Sequence, residues 1–373
     1  MSNPVDYFLR RAQAVRALRE STEGSGISAL LVSDEANVRW LTGLASSNAA
    51  VLVSADTTIL VTDSRYADPA MAVPDVQLTI ARDVSREALL AGINADLARD
   101  GQAQIAYESD CLSAEQAHRL SIDPEVGWLT LVPTSGLIAQ LRTVKEPAEI
   151  AMIRQACEIS TAALRALVDQ IRVGMSELTI ARTLEYELAR HGADDRAFPT
   201  IAATGPNSAT PHHQPTARPL GRGDIVKLDF GAMVGGYHAD CTRTFVVGAS
   251  ATDRQIEIHR LVEQAATAGR ASLSDGVAIA DVDAAARGVI TAHGLGEYFS
   301  HGLGHGLGLE IHEPPLLSAA TAGTLAQGNV VTIEPGVYLP TEFGVRIEDT
   351  CVVTDGRAQV LTDFPRELIV IDG

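Results

Sequence analysis

The 373-residue sequence predicts an α/β (α+β) protein of two domains, and three observations lead to this prediction. Short β-rich runs alternate with helical runs in the first part of the chain, as in domains where helices cover a sheet. The length exceeds the roughly 100 to 200 residues of a typical single domain. An internal repeat in the second part indicates a domain built from two similar halves.

The first domain is predicted over residues 1–135, as an α/β unit with a mixed sheet. Its apolar runs are "ISALLVS", the hairpin-like "AVLVSADTTILVTD" and "AQIAYES", with helical runs such as "SREALLAGINADLARDG" between them. Pro133, Gly136 and Pro147 then interrupt the pattern, and Pro147 suits the first turn of the helix predicted for "PAEIAMIRQACEISTAALRALVDQI". We therefore expect the second domain to cover residues 136–373.

The second domain contains a repeat at a nearly constant spacing. Loop-helix units of equal length begin at Gly174 and Gly276, which are 102 positions apart, and each unit ends in His-Gly. Further along, "GDIVKLDFG" aligns with "GNVVTIEPG" 105 positions later, and the acid of "HADCTRT" aligns with the first acid of "VRIEDTC" 108 positions later. Each half therefore reads as two helices followed by a β-hairpin that carries two acids.

The repeat matches four acids in pairs, Asp229 with Glu334 and Asp240 with Glu348. Two of them lie in apolar strand runs, where a buried ionised carboxylate must be paired or must bind a metal. A pseudo-two-fold axis would bring all four together, and their repulsion would keep several protonated unless cations lay between them. The alternative is that they are surface residues at hairpin ends. Four carboxylates with a histidine suit a two-metal site for manganese, cobalt or similar ions.

Candidate histidines lie in the segment "HGLGHGLGLEIHE", residues 301–313. Its glycines do not form the dinucleotide fingerprint, which would need a third glycine at Leu307 or Leu309. His312 and Glu313 are followed by prolines, so the segment is not a zinc-protease helix either. One histidine near a turn is commonly a core residue. Three histidines close together, beside a repeat of acids, indicate one metal ligand and others that flank a substrate.

A two-metal site of this kind suits hydrolysis of an amide or an ester. Two divalent ions roughly 3.5 to 4 Å apart can bridge a water, lower its pKa toward neutrality and hold the oxygen that becomes negative when the resulting hydroxide attacks a carbonyl. Serine chemistry has no comparable support, because the sequence has no G-x-S-x-G segment.

With these motifs the chain resembles the pita-bread metallopeptidases, and within them the proline-specific branch of aminopeptidase P and prolidase. The resemblance covers nearly the whole chain, from "NVRWLTGL" and "TDSRY" through "LRTVKEPAEIAMIRQA" to the repeat. It implies a creatinase/prolidase-like N-terminal domain, a pita-bread catalytic domain with pseudo-two-fold symmetry, and two divalent ions per chain. Manganese or cobalt is expected, with zinc as the alternative.

The resemblance also assigns residues to roles. The metal ligands would be Asp229, Asp240, His305, Glu334 and Glu348. Asp240 and Glu348 would bridge both ions, Asp229 would hold one ion, and His305 with Glu334 would hold the other. The substrate-side histidines of the family correspond to His212, His301 and His312.

Three further roles are expected for side chains of this site. Glu334 would shuttle a proton to the departing proline nitrogen, while His212 and His312 would bind the tetrahedral oxyanion or the substrate backbone. Arg346 would orient the carboxylate of Glu348, or it would form a structural ion pair. His213 has no counterpart in the family motif, and we expect a solvated loop histidine.

Three functions fit these motifs: an Xaa-Pro aminopeptidase, an Xaa-Pro dipeptidase and a non-catalytic peptide-binding module. The intact ligand set disfavours the module. Many prolidases carry an arginine four residues after the second active-site histidine, whereas "HEPPL" places Leu316 there. Because an apolar residue offers no charge to a terminal carboxylate, we favour the aminopeptidase. Another arginine, such as Arg65, could supply that charge to a dipeptidase.

The composition indicates which binding partners and which cellular compartment are expected. The 29 basic and 47 acidic residues give a net charge of −18, which repels phosphate backbones and anionic lipid, so nucleic acid and membrane partners are not expected. The start of the chain lacks the features of a secretory signal, and four widely spaced cysteines fit reduced thiols. We expect a cytoplasmic enzyme that acts on proline-containing peptides, and the resemblance implies a homodimer.

Overall fold

A computed structural model of the chain describes residues 5–21, 26–95, 97 and 103–372. The chain divides into two compact units, one ending at Arg142 and the other beginning at Thr143. The helix Leu137–Arg142 belongs to the first unit, although it lies beyond residue 135. The reason is that the buried guanidinium of Arg142 donates to the Oδ1 atom of Asn37 at 2.7 Å.

The first unit is built on a six-stranded mixed sheet, as predicted. Its helices are α1 Tyr7–Glu20, α2 Glu35–Thr42, α3 Ala67–Ala70, α4 Val84–Asn94, α5 Ala114–Ile122 and α6 Leu137–Arg142. Its strands are β1 Ile27–Val32, β2 Ala49–Ser54, β3 Thr58–Thr62, β4 Gln77–Ile80, β5 Gln104–Glu108 and β6 Thr130–Thr134. The order in the sheet is β4-β3-β2-β1-β5-β6. The pairs β1–β2 and β2–β3 are antiparallel, and the other neighbours are parallel.

The second unit carries longer helices and several small sheets. Its helices are α7 Pro147–Val168, α8 Glu177–Arg190, α9 Asp253–Ser272 and α10 Ile279–Ala292. Its first strands are β7 Asp195–Arg196, β8 Ile201–Thr204, β9 Ile225–Phe230, β10 Ala232–Val234, β11 Tyr237–His238 and β12 Cys241–Val247. The later strands are β13 Gly304–Gly306, β14 Glu313–Leu317, β15 Val330–Ile333, β16 Gly336–Leu339, β17 Phe343–Arg346, β18 Asp349–Val352, β19 Gln359–Val360 and β20 Ile369–Ile371.

The helical part of the repeat is visible in the structure. Helices α8 and α10 both contain 14 residues, and their first residues are 102 positions apart. Both end at a histidine whose Nδ1 atom donates to the carbonyl four residues earlier, His191 at 2.8 Å and His293 at 2.9 Å. The apolar faces of α7 and α8 pack against a core that includes Leu228 of β9, while α9 and α10 pack against one that includes Ile333 of β15.

The two central hairpins of the repeat face each other. Strands β9 and β12 pair antiparallel, and so do β15 and β18. Thr242 and Thr350, which are 108 positions apart, each reach across to the other half. The hydroxyl of Thr242 donates to the Oε2 atom of Glu348 at 2.7 Å, and that of Thr350 donates to the carbonyl of Asp240 at 2.8 Å. These reciprocal contacts follow from the pseudo-two-fold arrangement, and they bring the two acid-bearing ends together.

Two general features of the described residues bear on the environment of the protein. All four cysteines are free thiols, as the spacing predicts. Among the described helices, none combines the length and the apolar character that a bilayer crossing requires.

Candidate metal centre

The four acids of the repeat lie at the same ends of the central strands. Asp229 is near the end of β9, and Asp240 immediately precedes β12. Glu334 follows β15 directly, and Glu348 immediately precedes β18. Short hairpins, β10–β11 and β16–β17, connect the acids within each half. Because the strands are apolar and buried, three of the acids that extend from them, Asp229, Asp240 and Glu348, are buried, and Glu334 is half-buried.

The acids and His305 form a compact cluster. Asp240, His305 and Glu348 are all buried, and each offers a ligand atom within 4.8 Å of the others. The Nε2 atom of His305 lies 3.6 Å from the Oδ2 atom of Asp240 and 3.4 Å from the Oε1 atom of Glu334. The charge of Asp229 also acts on this cluster, because it raises the pKa of Asp240 and of Glu348.

The glycines around His305 permit a strand that no other residue could form there. Strand β13 lies between β14 and β15. A Cβ atom on Gly304 would come within 2.1 Å of the carbonyl oxygen of Thr332, and one on Gly306 would come within 2.3 Å of that of Pro314. The Nδ1 atom of His305 lies 3.0 Å from the carbonyl of Gly306. Because a carbonyl only accepts, Nδ1 carries the proton and the Nε2 lone pair faces the acids.

The electrostatics of the cluster fit divalent cations. Burial, followed by the charges of neighbouring carboxylates, raises the pKa of Asp240 and of Glu348 well above the usual range. Burial raises the pKa of Glu334 to about 7. Buried oxygens of two acids, the Oδ1 atoms of Asp229 and Asp240, have no hydrogen-bond partner among the described residues. Repelling carboxylates with free lone pairs are the donor set that a pair of cations satisfies.

The guanidinium of Arg346 is buried beside the cluster, where it makes four contacts. Its Nη2 atom donates to Asp229 in a short charge-assisted hydrogen bond. Its Nη1 atom donates to the hydroxyl of Tyr338 at 2.8 Å, and its Nε atom donates to the hydroxyl of Thr242 at 3.0 Å. The fourth contact is with the carbonyl of Pro211 at 3.2 Å. Arg346 therefore forms an ion pair with Asp229, which is one of the two roles expected for it, and it reaches Glu348 through Thr242.

The three substrate-side candidates occupy different environments. His212 and His312 are exposed, and the ring of His312 packs edge-on against that of His305 with centroids 4.5 Å apart. The ring of His301 is instead engaged at both nitrogens, Nδ1 with the carbonyl of Gly302 at 2.8 Å and Nε2 with the hydroxyl of Tyr338 at 2.9 Å. Burial lowers the pKa of His301 to about 4. His212 and His312 thus have rings available to a substrate, while His301 is held in a network.

The expectation for His213 was wrong. Its side chain is only 14% exposed, and its Nε2 atom lies 2.8 Å from the Oε2 atom of the fully buried Glu177. It is therefore a partner of a buried carboxylate and not a solvated loop histidine.

Sequence reasoning missed the hydroxyl residues of the site, among them Thr242, which joins Arg346 to Glu348, and two others. Tyr338 links His301 to Arg346, and Thr332 accepts a hydrogen bond from the backbone of His305 at 3.0 Å while donating to Glu334 at 3.2 Å. Thr332 had a detectable signal, because it lies two residues before an acid and alternate residues of a strand share a face. Tyr338 had none, because its partners are distant in sequence.

Comparisons with known proteins cover both units. Residues 151–355 match the profile of Metallopeptidase family M24, and residues 15–144 match that of the Creatinase/Prolidase N-terminal domain. An uncharacterized peptidase of Bacillus subtilis is 35% identical over 93% of this chain and 96% of its own length. A Xaa-Pro dipeptidase of Pyrococcus horikoshii is 42% identical over 62% of this chain and 66% of its own. The crystal structure of X-Pro aminopeptidase from Thermotoga maritima superposes with a TM-score of 0.87 at 34% identity, over 97% of this chain and 99% of that one.

The metal-free protein should lose stability as the pH rises from about 6.5 to 8. Glu334, with a pKa of about 7, and Asp240 and Glu348, with pKa values well above the usual range, bind more protons in the folded chain than in the unfolded one. The stability that these acids contribute is fully present below their unfolded pKa values, near 4, and it is lost as the pH rises through their folded pKa values. The measurement is the melting temperature of chelator-treated protein across this range.

Below about pH 6.5, buried histidines such as His301 also titrate, and their effect on stability has the opposite sign. The range above pH 6.5 therefore reports on the acids. The Glu334→Gln variant, which removes one of the titrating acids, should show a smaller slope. A melting temperature that rises with pH in the metal-free wild type would contradict this account of the cluster.

Replacing the central acid should remove metal without unfolding the protein. In Asp240→Ala a carboxylate that contacts the His305 side of the cluster is lost, so we expect bound manganese or cobalt to fall to background while far-UV circular dichroism stays unchanged. The surface variant Glu257→Ala, on the exposed side of α9, is the control and should keep its metal. Full metal retention in Asp240→Ala would remove Asp240 from the ligand set.

Proposed function

The chain belongs to metallopeptidase family M24, and on this premise we propose that it removes an N-terminal residue that precedes proline, as an Xaa-Pro aminopeptidase of the aminopeptidase P type. The family and the two-domain pita-bread fold confirm the resemblance found in the motifs. The observation that carries the proposal is the buried cluster of Asp240, His305 and Glu348, with Glu334 3.4 Å from His305 and the charge of Asp229 acting on the two acids. Relatives named as Xaa-Pro dipeptidase and X-Pro aminopeptidase support the proline specificity.

We assign two divalent ions to the cluster. Asp240 and Glu348 would contact both ions, Asp229 would contact one, and His305 with Glu334 would contact the other. Oxygen-rich ligation favours manganese or cobalt, with zinc as the alternative. When bound, such ions supply an activated water and polarise the scissile carbonyl.

The remaining side chains have distinct tasks in this proposal. His212 and His312, exposed beside the cluster, donate hydrogen bonds to the substrate carbonyl or to its neighbouring backbone. Glu334, next to His305, passes a proton to the departing proline nitrogen. Arg346 holds Asp229 in place, and Tyr338 holds Arg346 together with His301.

The chemistry of proline explains why such a site is useful. A bond before proline is a tertiary amide without an N–H group, so an enzyme that binds that group has nothing to recognise. In this site the contacts are directed at the carbonyl and at the departing nitrogen. Recognition of the scissile bond therefore does not need the N–H group that proline lacks.

An Xaa-Pro dipeptidase is the second candidate, and two relatives that are named Xaa-Pro dipeptidase support it. A dipeptidase must bind the free carboxylate of proline, for which arginine is the best-suited side chain. The corresponding position is Leu316 on β14, which is 57% exposed and lies at the edge of its sheet. An exposed apolar side chain at an open edge leaves a longer peptide room to continue, which favours the aminopeptidase.

The cellular setting is part of the same proposal. Four free thiols suit a reducing compartment, and we propose the cytoplasm. The net charge of −18 disfavours nucleic acid and anionic membranes as partners. We also propose a homodimer, which size-exclusion chromatography with light scattering would test.

His312→Ala should retain both metals and lose catalytic rate. The side chain packs against the ring of His305 but is exposed, so its removal takes away a hydrogen-bond donor and leaves the ligands in place. By analogy with single oxyanion donors, kcat should fall roughly ten- to a thousandfold. Elemental analysis and steady-state kinetics on an Xaa-Pro peptide decide the matter, and loss of metal in this variant would assign His312 to the ligands.

The substrate-length preference should change with residue 316. The wild type should cleave an Xaa-Pro peptide extended by two residues with a higher kcat/KM than the Xaa-Pro dipeptide. Leu316→Arg should move the ratio toward the dipeptide, because a guanidinium can pair with the terminal carboxylate. Leu316→Gln, similar in length but uncharged, is the control. A wild type that strongly prefers the dipeptide would establish the dipeptidase instead.

A further inference from the structure

The segment 204–216 carries His212 and His213 between β8 and β9, and it is mostly irregular. After a short 3₁₀ turn at Gly205–Ala209 its backbone makes few hydrogen bonds of its own. The polar groups of such a segment need partners elsewhere when it packs against the protein. Two buried side chains of opposite charge, Glu177 and Lys227, supply most of them.

Glu177 binds the donors of the segment. It is fully buried at the start of α8. Its Oε1 atom accepts from the N–H and hydroxyl of Thr204 at 2.8 and 3.0 Å and from the Nδ2 atom of Asn207 at 3.0 Å. Its Oε2 atom accepts from the N–H and hydroxyl of Thr216 at 2.9 and 2.6 Å, and it lies 2.8 Å from His213. Burial acts to raise the pKa of Glu177, but these hydrogen bonds outweigh it and lower the pKa to about 2.

Lys227 binds the acceptors of the same segment. It is fully buried in the middle of β9. Its Nζ atom donates to the carbonyls of Ser208 at 3.0 Å, Thr210 at 2.7 Å and Pro211 at 3.2 Å. The ammonium also lies 4.9 Å from the centre of the Tyr338 ring, within the range of a cation–π contact. All three N–H bonds of this buried charge are therefore directed at the residues that precede His212.

The position of Lys227 ties the segment to the metal centre. Lys227 lies two residues before Asp229 on the same strand, so the two side chains share a face. The carbonyl of Pro211, adjacent to His212, accepts from both Lys227 and Arg346, and Arg346 in turn binds Asp229. A displacement of His212 would have to break contacts with the strand and the arginine that hold Asp229.

The other half of the repeat shows that the fold does not require these charges. Ile279 stands 102 positions after Glu177, and Thr332 stands 105 positions after Lys227. Ile279 is a buried apolar residue. Thr332 accepts from the backbone of His305 and donates to Glu334, so the position two residues before the acid contacts a histidine-bearing segment in both halves. At these two matched positions, charged residues occur only in the half that carries the segment with His212.

We propose that Glu177 and Lys227 are positioning residues that clamp segment 204–216 from both sides and thereby hold His212 at the metal centre before substrate binds. The inference rests on the proposed function, in which His212 contacts the substrate. In this proposal the segment is ordered before a peptide binds, and it does not close over the peptide afterwards.

The first test is a double-mutant cycle on metal-loaded full-length protein. Lys227→Met keeps a long buried side chain but removes the donor from three carbonyls, of which Pro211 alone keeps another donor among the described residues, Arg346. We expect kcat/KM for an Xaa-Pro peptide to fall roughly ten- to a hundredfold, with metal content unchanged, since a misplaced contact costs this much. In the His212→Ala background the same substitution should have little further effect, because Lys227 acts through His212. Multiplicative effects of the two substitutions would overturn the proposal.

The second test is amide hydrogen exchange, which does not depend on activity. The amides of Thr204 and Thr216, which donate to Glu177, and that of Thr210, which donates to the carbonyl of Asn207, should be protected in the metal-free and substrate-free wild type. They should exchange faster in Lys227→Met. Lys145→Met is the matched control, because Lys145 is also buried but pairs with Glu313 at 2.9 Å and not with this segment. Exchange in 204–216 should be unchanged in that variant. Fast exchange of these three amides in the wild type would overturn the clamp.

Glu177→Gln provides a second route if Lys227→Met does not fold. Three donors face each oxygen of Glu177, so an amide must turn its NH₂ toward one of the two sets. Exchange should then increase within 204–216 while the rest of α8 stays protected, and an unchanged segment would contradict the clamp. A wild type that cleaves no Xaa-Pro peptide would refute the proposed function alone, because the exchange experiments still decide whether the clamp exists.

Discussion

The repulsion among buried carboxylates is the constraint on which the catalytic unit depends. Asp240 and Glu348 are buried, and burial together with the charges of Asp229 and Glu334 raises the pKa of both. Such an arrangement is unstable on its own, because each charge loses hydration and meets a like charge. The architecture around it supplies what the cluster lacks, with rigid apolar strands to hold the acids, positive charges placed behind them, and free oxygen lone pairs directed at the place where cations fit.

Positive charges also gather around a buried acid adjacent in sequence to Glu348. Asp349, next to Glu348, is fully buried and binds three arginines, Arg243 at 2.8 Å, Arg270 at 2.8 Å and Arg366 at 2.6 Å. Arg243 also donates to the backbone carbonyl of Glu348 at 2.5 Å. Three guanidinium groups around one carboxylate leave an excess of positive charge on this side of the cluster. The excess offsets part of the repulsion among the acids without occupying the positions where the ions would bind.

The acids were predictable from the sequence because each lies in a short local motif, and the motifs recur 105 and 108 positions later. The mixed sheet of the first unit was predictable for the same reason, since alternating runs and a hairpin are local patterns. The partners of polar side chains were not. Arg346 binds Asp229 from 117 positions away, and Tyr338 joins two residues that no pattern connects. His213 looked like a loop residue because its partner, Glu177, lies in a helix of the preceding segment.

The two halves share a framework but supply different chemistry. Each contributes a helix pair, a central hairpin and two acids, which is why the acids meet near a pseudo-two-fold axis. The histidines break the symmetry: His212 comes from an irregular segment of the first half, and His305 from a glycine-flanked strand of the second. A symmetric pair of ions needs only the shared part, whereas a peptide bond has a carbonyl side and a nitrogen side that must be treated differently. The asymmetric segments are therefore where substrate recognition can arise without disturbing the acids beneath.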